Sequence, residues 1–110
     1  MRDSWEYVLD ASPPQIYVKT SRRPTGDWLV EVTGELDFYT APKFREHLNG
    51  PLQSGHVDLD LSGLEFCDHA GLRELRTFET EPVRIVAAHQ CVNLVMRLCG
   101  VEVLLGHVAA

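Results

Sequence analysis

The chain has few lysines and no basic cluster. Lys19 and Lys43 are its only lysines among 110 residues, and the formal net charge is -6. A surface that binds a nucleic-acid duplex needs several cations, because neutralised phosphates release their counterions. We therefore expect no nucleic-acid partner.

Long apolar runs are also missing. No stretch approaches the roughly 20 apolar residues that a membrane-spanning helix requires, and residues 1–6 do not form the apolar centre of a secretory signal. These two absences predict a cytoplasmic protein without a membrane partner.

Cysteine is scarce, and its spacing is not that of a metal site. Cys67, Cys91 and Cys99 are odd in number and form no CxxC pair, which argues against a disulfide framework or a structural zinc site. The five histidines show neither HxH nor HxxxH spacing. We expect reduced, mostly buried thiols, no metal and no other cofactor.

Motifs for catalysis are absent as well. Neither GxxxxGK nor GxGxxG occurs, so no glycine-rich phosphate loop is present. His69 beside Asp68 could act as a general base, yet no nucleophilic Ser or Cys lies at a strand-to-helix elbow. Asp58 and Asp60 lie in mid-strand, and no lysine follows that could serve a phosphoacceptor pocket. The protein is predicted not to be an enzyme, with His69 exposed on its surface.

The composition itself is that of an ordinary folded protein, with 45% hydrophobic and 24% charged residues. Its length suits one hydrophobic core and one domain. We assign residues 14–110 to this domain and residues 1–13 to an N-terminal arm. An otherwise open sheet surface could be covered by Trp5, Tyr7 and Val8 of the arm or by a second copy of the protein. We favour the arm and expect a monomer or a weak dimer.

β-rich segments begin the predicted domain. Residues 16–20 and 29–33 are separated by turn formers at 21–27, which predicts a hairpin. Further on, apolar and polar residues alternate from Val57 to Ser62, the pattern of a strand with one buried face. A short strand is also predicted at residues 84–88, and residues 101–105 are predicted to form a last short strand or a turn.

Three segments have helical periodicity. Thr40 is a candidate cap for the first helix, which we expect to stop at Gly50 and Pro51. Asp68 is the candidate cap of the second helix, and Gly100 follows the third. The apolar stripes that define these helices are Ala41, Phe44 and Leu48, then Leu72, Leu75 and Phe78, and finally Val92, Val95, Met96 and Cys99.

Strands and helices alternate after the opening hairpin. This order predicts parallel strand pairs joined by right-handed crossovers, with one antiparallel pair from the hairpin. The expected fold class is therefore α/β, a single domain with a mixed, mostly parallel sheet and helices packed against it.

Three sequence blocks resemble the STAS family, the fold of bacterial anti-sigma-factor antagonists. They are Gly34-Glu35-Leu36-Asp37, the segment 59–68 followed by Gly71-Leu72, and residues 92–101, so the resemblance covers roughly residues 14–105. It implies a STAS-like fold. It also implies a protein that binds an ATP-binding, kinase-like anti-sigma factor and so frees a sigma factor.

The resemblance also implies a set of partner-binding residues, with one departure. Family members carry Asp-Ser-Ser-Gly or Asp-Ser-Thr-Gly, and the hydroxyl residue just before the glycine is the phosphorylation switch. Here the tetrapeptide is Asp68-His69-Ala70-Gly71, so Ala70 stands at the phosphoacceptor position and cannot be phosphorylated. The implied partner-binding residues are Asp37, Asp68, His69, Ala70, Gly71 and Leu72.

Alternatives stay open at this point. Asp68 has a simpler role as a helix cap, and Asp37 as a turn residue that leads to the Thr40 cap. At the level of function, the chain could instead be a non-switching STAS scaffold subunit of a signalling assembly, or a STAS domain that binds a small ligand.

Overall fold

The structure is a computed structural model that describes residues 15–98 and residue 100. The predicted arm at residues 1–13 and the predicted strand or turn at 101–105 lie outside the described residues. The elements are β1 (Ile16–Arg22), β2 (Trp28–Leu36), α1 (Ala41–Ser54), β3 (Val57–Cys67), α2 (His69–Arg76), a 3-10 turn (Thr77–Thr80), β4 (Val83–Ala88) and α3 (Gln90–Leu98).

The four strands form one sheet in the order β1-β2-β3-β4. β1 pairs with β2 antiparallel, whereas β2 with β3 and β3 with β4 pair in parallel. The predicted mixed, mostly parallel α/β fold is therefore confirmed. The hairpin closes through a turn in which Gly26 has a φ of 95°, a conformation that glycine adopts without steric cost.

The core lies between one face of this sheet and the helices. Alternate strand residues point into it, and the apolar stripe of each helix packs over them. Phe44 of α1 and Phe78 meet edge to face with ring centroids 5.9 Å apart. Among the fully buried side chains are Val30, Leu36, Phe44, Leu48, Leu59, Leu61, Leu75, Phe78, Ile85 and Met96.

The predicted end of the first helix is wrong. α1 continues through Gly50 and Pro51 to Ser54, although a proline inside a helix removes one backbone hydrogen bond. Leu48 is fully buried and Leu52 packs against the core, so the last helical turn carries apolar contacts that outweigh the missing bond.

The other two helices follow the prediction closely. Asp68 is the N-cap of α2, and the stripe that ends at Phe78 runs on into the 3-10 turn. Gly100 follows α3 with a φ of 79°, as expected for a residue that ends a helix. None of the helices in the described part of the chain is long and apolar enough to cross a membrane.

Candidate functional site

The two predicted partner loops lie side by side at one edge of the sheet. β2 and β3 are parallel neighbours, and their last residues, Leu36 and Cys67, stand opposite each other. The backbone N–H of Asp68 also donates to the carbonyl of Leu36 at 3.2 Å. The segments that begin at Asp37 and Asp68 therefore start from the same place, as expected for the carboxyl ends of parallel strands.

Asp37 holds the β2–α1 loop in place and is itself only 5% exposed. Its Oδ1 accepts hydrogen bonds from the backbone N–H groups of Tyr39 at 2.9 Å and Thr40 at 3.0 Å. Thr40 immediately precedes α1, but its hydroxyl makes no capping bond. Instead it donates to the carbonyl of Glu35 at 2.8 Å. Thr40 is therefore the N-cap residue by position, as predicted, but its side chain makes no capping bond, and Asp37 holds the turn instead.

The β3–α2 loop is fixed by Asp68 and Gly71. The Asp68 Oδ1 accepts from the backbone N–H of Gly71 at 2.8 Å, which satisfies one free donor of the first helical turn. A Cβ atom on Gly71 would lie 2.3 Å from the carbonyl oxygen of Leu36 and 2.9 Å from the Sγ of Cys67. The start of α2 therefore rests directly on the end of β2, and only glycine fits there.

The six predicted site residues fall into three groups by exposure and contacts. Asp37, Gly71 and Leu72 are buried and build the frame of the two loops. Asp68 is half-buried and caps the helix. His69 is exposed and Ala70 half-buried, so these two present the loop to the outside.

Sequence reasoning missed an aromatic pair between Asp37 and Thr40. Phe38 and Tyr39 are 70% and 71% exposed, and their rings meet at right angles with centroids 5.6 Å apart. The signal was available: two consecutive aromatic residues stand in a predicted loop, outside the apolar stripe of the following helix. We call Phe38 and Tyr39 the aromatic ledge.

A cleft of about 300 Å³ lies between the first half of α1 and the length of α2, next to Ala70 and the aromatic ledge. Arg45 bridges the two helices along it: its Nε donates to Glu74 at 2.8 Å, and its Nη1 to Glu81 at 3.3 Å. The guanidinium also contacts the Thr77 hydroxyl and lies 4.1 Å from the centre of the Phe78 ring. We call this space the α1–α2 cleft.

A second charged cluster lies at the opposite end of β3. The Asp58 side chain is 1% exposed, and its carboxylate contacts Arg23 at 2.5 Å, His56 at 2.9 Å and Arg84 at 3.4 Å. Burial alone would raise the pKa of Asp58. The His56 hydrogen bond, the charge and hydrogen bond of Arg84 and the Arg23 hydrogen bond outweigh it and hold that pKa below 3.8.

Among the described residues, no group of three His, Cys, Asp or Glu side chains converges. Cys67 is half-buried beside Gly71 and forms no disulfide with a described residue; its thiol donates to the backbone carbonyl of Asp68 at 3.8 Å. The side chain of Cys91 and all of Cys99 lie outside the described part of the chain.

Three solved structures illustrate the fold. An anti-sigma factor antagonist from Mycobacterium paratuberculosis has a TM-score of 0.71 at 24% identity, and the match covers 80% of this chain and 80% of the antagonist. The antagonist SpoIIAA in its unphosphorylated form has a TM-score of 0.62 at 15% identity, over 86% of this chain and 89% of SpoIIAA. The murine anion transporter Slc26a9 has a TM-score of 0.59 at 19% identity, over 90% of this chain and 20% of the transporter.

Sequence comparison gives the family. Curated protein sequences yield no match. The profile of the family described as "Mlab, STAS domain" matches residues 20–106, which is most of the chain. The chain therefore belongs to the STAS family.

Proposed function

We propose that this protein is an anti-sigma-factor antagonist of the cytoplasm, a binding protein rather than an enzyme. In this proposal it docks on a kinase-like anti-sigma factor through residues 37–40 and 68–72, and so frees a sigma factor. The observation that carries the proposal is the pairing of Leu36 with Cys67, which sets both loops at one edge of the sheet. The fold shared with two anti-sigma factor antagonists supports it.

The chemistry of Ala70 determines how such a protein would be regulated. A phosphate at this position would add about -1.5 to -2 charges at the start of α2, directly in the docking surface. Ala70 has no hydroxyl, so that charge cannot be added. We infer a loop that is always competent to bind and is regulated through the amount of protein.

Phosphorylation of the loop is expected to fail. Residues 63–76 contain no Ser, Thr or Tyr, so incubation with the kinase-like anti-sigma factor and ATP should leave the peptide unmodified in mass spectrometry. The variant Ala70→Ser is the positive control and should gain one phosphate. Stoichiometric phosphate on the wild-type peptide would contradict the inference.

Adding a charge at Ala70 is expected to block docking. Ala70→Asp should weaken binding to an ATP-loaded anti-sigma factor at least about tenfold in calorimetry, because the carboxylate meets the partner surface. Melting should change little, since an acid in the first turn of a helix is favourable to its dipole. Asn49→Asp, at an exposed position of α1, adds the same charge elsewhere and should bind like wild type.

The outcome of this experiment decides the proposal. The expected result is tight binding by the wild-type protein with release of the bound sigma factor, and binding at least about tenfold weaker for Ala70→Asp. Equal affinity of Ala70→Asp and wild type would place the interface elsewhere. The antagonist function would be overturned if the protein bound none of the kinase-like anti-sigma factors whose genes neighbour its own.

A second function is favoured by one observation. The same fold occupies 20% of the chain of Slc26a9, so it also occurs as one part of a larger protein. A STAS domain without a phosphoacceptor could likewise serve as a scaffold subunit or hold a small ligand. Purification of the protein at its natural level separates the functions: a scaffold subunit would elute in a stable assembly that contains no sigma-factor regulator.

A further inference from the structure

The α1–α2 cleft has one apolar wall. Phe38, Ala41 and Pro42 line it from the β2–α1 side, and Ala70 lines it from the start of α2. Its volume of about 300 Å³ is at the lower limit for a small-molecule pocket. Such a space suits a single apolar side chain of a partner better than a complete ligand.

The opposite wall carries one charge that the described residues leave unpaired. Arg45 and Glu74 neutralise each other at 2.8 Å across the cleft. Arg73 also lines the cleft and is exposed, but it makes no ion pair with any residue of the described part. The cleft therefore offers a positive charge on a protein whose formal net charge is -6.

The aromatic ledge beside the cleft has the chemistry of an interface centre. Aromatic residues are enriched in the cores of protein interfaces, where a few of them carry most of the binding energy. The backbone that bears Phe38 and Tyr39 is held by the hydrogen bonds to Asp37, so little order has to be created on binding.

We propose that the α1–α2 cleft and the aromatic ledge bind a protein segment that pairs an apolar side chain with a neighbouring carboxylate. The apolar side chain packs between Phe38 and Ala70, and the carboxylate binds Arg73. This proposal rests on the proposed function for the location of the docking face, and it adds the chemistry of the segment that docks there.

A library of random peptides displayed on phage is the probe. Selection on the wild-type protein should enrich peptides with an apolar residue next to Asp or Glu. Phe38→Ala should weaken the binding of an enriched synthetic peptide at least about tenfold. Selection on Arg73→Glu should enrich Lys or Arg in place of the acidic residue, because the charge of the cleft has been reversed.

Matched controls come from β1. Tyr17→Ala removes an aromatic side chain that is 63% exposed on another surface, and Lys19→Glu makes the same charge reversal there. Both should bind the enriched peptide like wild type. Melting temperatures confirm that each variant is folded.

The proposal is overturned if no enriched peptide depends on both Phe38 and Arg73, or if reversal of Arg73 leaves the acidic preference unchanged. Its failure is distinct from failure of the proposed function. An anti-sigma factor that binds Phe38→Ala and Arg73→Glu as tightly as wild type contradicts this inference alone. Enriched peptides of the expected kind, without any anti-sigma factor that binds, contradict the proposed function alone.

Discussion

Replacing Gly71 with alanine is expected to lower the free energy of unfolding by about 3 kcal/mol. The new methyl group would lie 2.3 Å from the carbonyl oxygen of Leu36, a backbone atom that no side-chain rotation can move away. α2 would have to lift from the end of β2, which also strains the hydrogen bond from Asp68 to Leu36. Urea unfolding followed by circular dichroism measures the loss.

Gly50→Ala is the matched control for this variant. Gly50 lies inside α1, and a Cβ atom there meets nothing within 4 Å. Alanine favours a helix by about 1 kcal/mol over glycine. Its Cβ atom also crowds the ring of the following Pro51 in the helical conformation, so the two effects oppose each other and this variant should unfold close to wild type. If Gly71→Ala unfolds at the wild-type urea concentration, the close contact between α2 and β2 does not hold the loop.

Replacing Asp58 with asparagine is expected to cost about 2 kcal/mol near neutral pH. The amide keeps the shape of the side chain but removes the charge that Arg23, Arg84 and His56 surround. The cost stays moderate because these three partners are 37% to 40% exposed and can be hydrated instead. Asp60→Asn, a half-buried neighbour on the same strand, should cost less than about 1 kcal/mol.

The effect of Asp58 should also depend on pH in a defined direction. The pKa of Asp58 is lower in the folded than in the unfolded chain. Its contribution to the free energy of unfolding is therefore complete at pH values well above 3.8, the ordinary pKa of the group. The contribution is lost as the pH falls through the lowered folded-state pKa. The unfolding free energies of wild type and Asp58→Asn should therefore converge in acid. A difference that stays constant across this range would contradict the role of the carboxylate charge.

The predicted elements came from patterns that burial dictates directly. Alternation around Leu59 and the helical stripe around Leu75 are consequences of one apolar face, and both residues are fully buried. The end of α1 escaped prediction because Gly50 and Pro51 are local signals, whereas the packing of Leu52 is a tertiary contact. The low helix propensity of glycine and proline is therefore outweighed where apolar side chains of the same helix remain packed against the core.

The neighbouring positions of the two loops were predictable from the sequence, but the contacts of their residues were not. The order of strands and helices places Asp37 and Asp68 at one edge of the sheet. Whether a carboxylate points outward or accepts hydrogen bonds from its own loop depends on geometry that spacing does not contain. The exposure of Phe38 similarly follows from the turn that Asp37 makes, since an aromatic residue in a sequence is more often buried.

The register of β2 and β3 has a consequence for comparing distant relatives. Trp28 pairs with Val57 at one end and Leu36 with Cys67 at the other, so β3 uses two more residues than β2 over the same length. The extra residues lie at two bulges, one between Asp60 and Gly63 and one at Glu65. A relative without one of these bulges needs an alignment gap inside β3. An ungapped alignment would then match Ala70 to the wrong residue and misjudge whether that relative carries a phosphoacceptor.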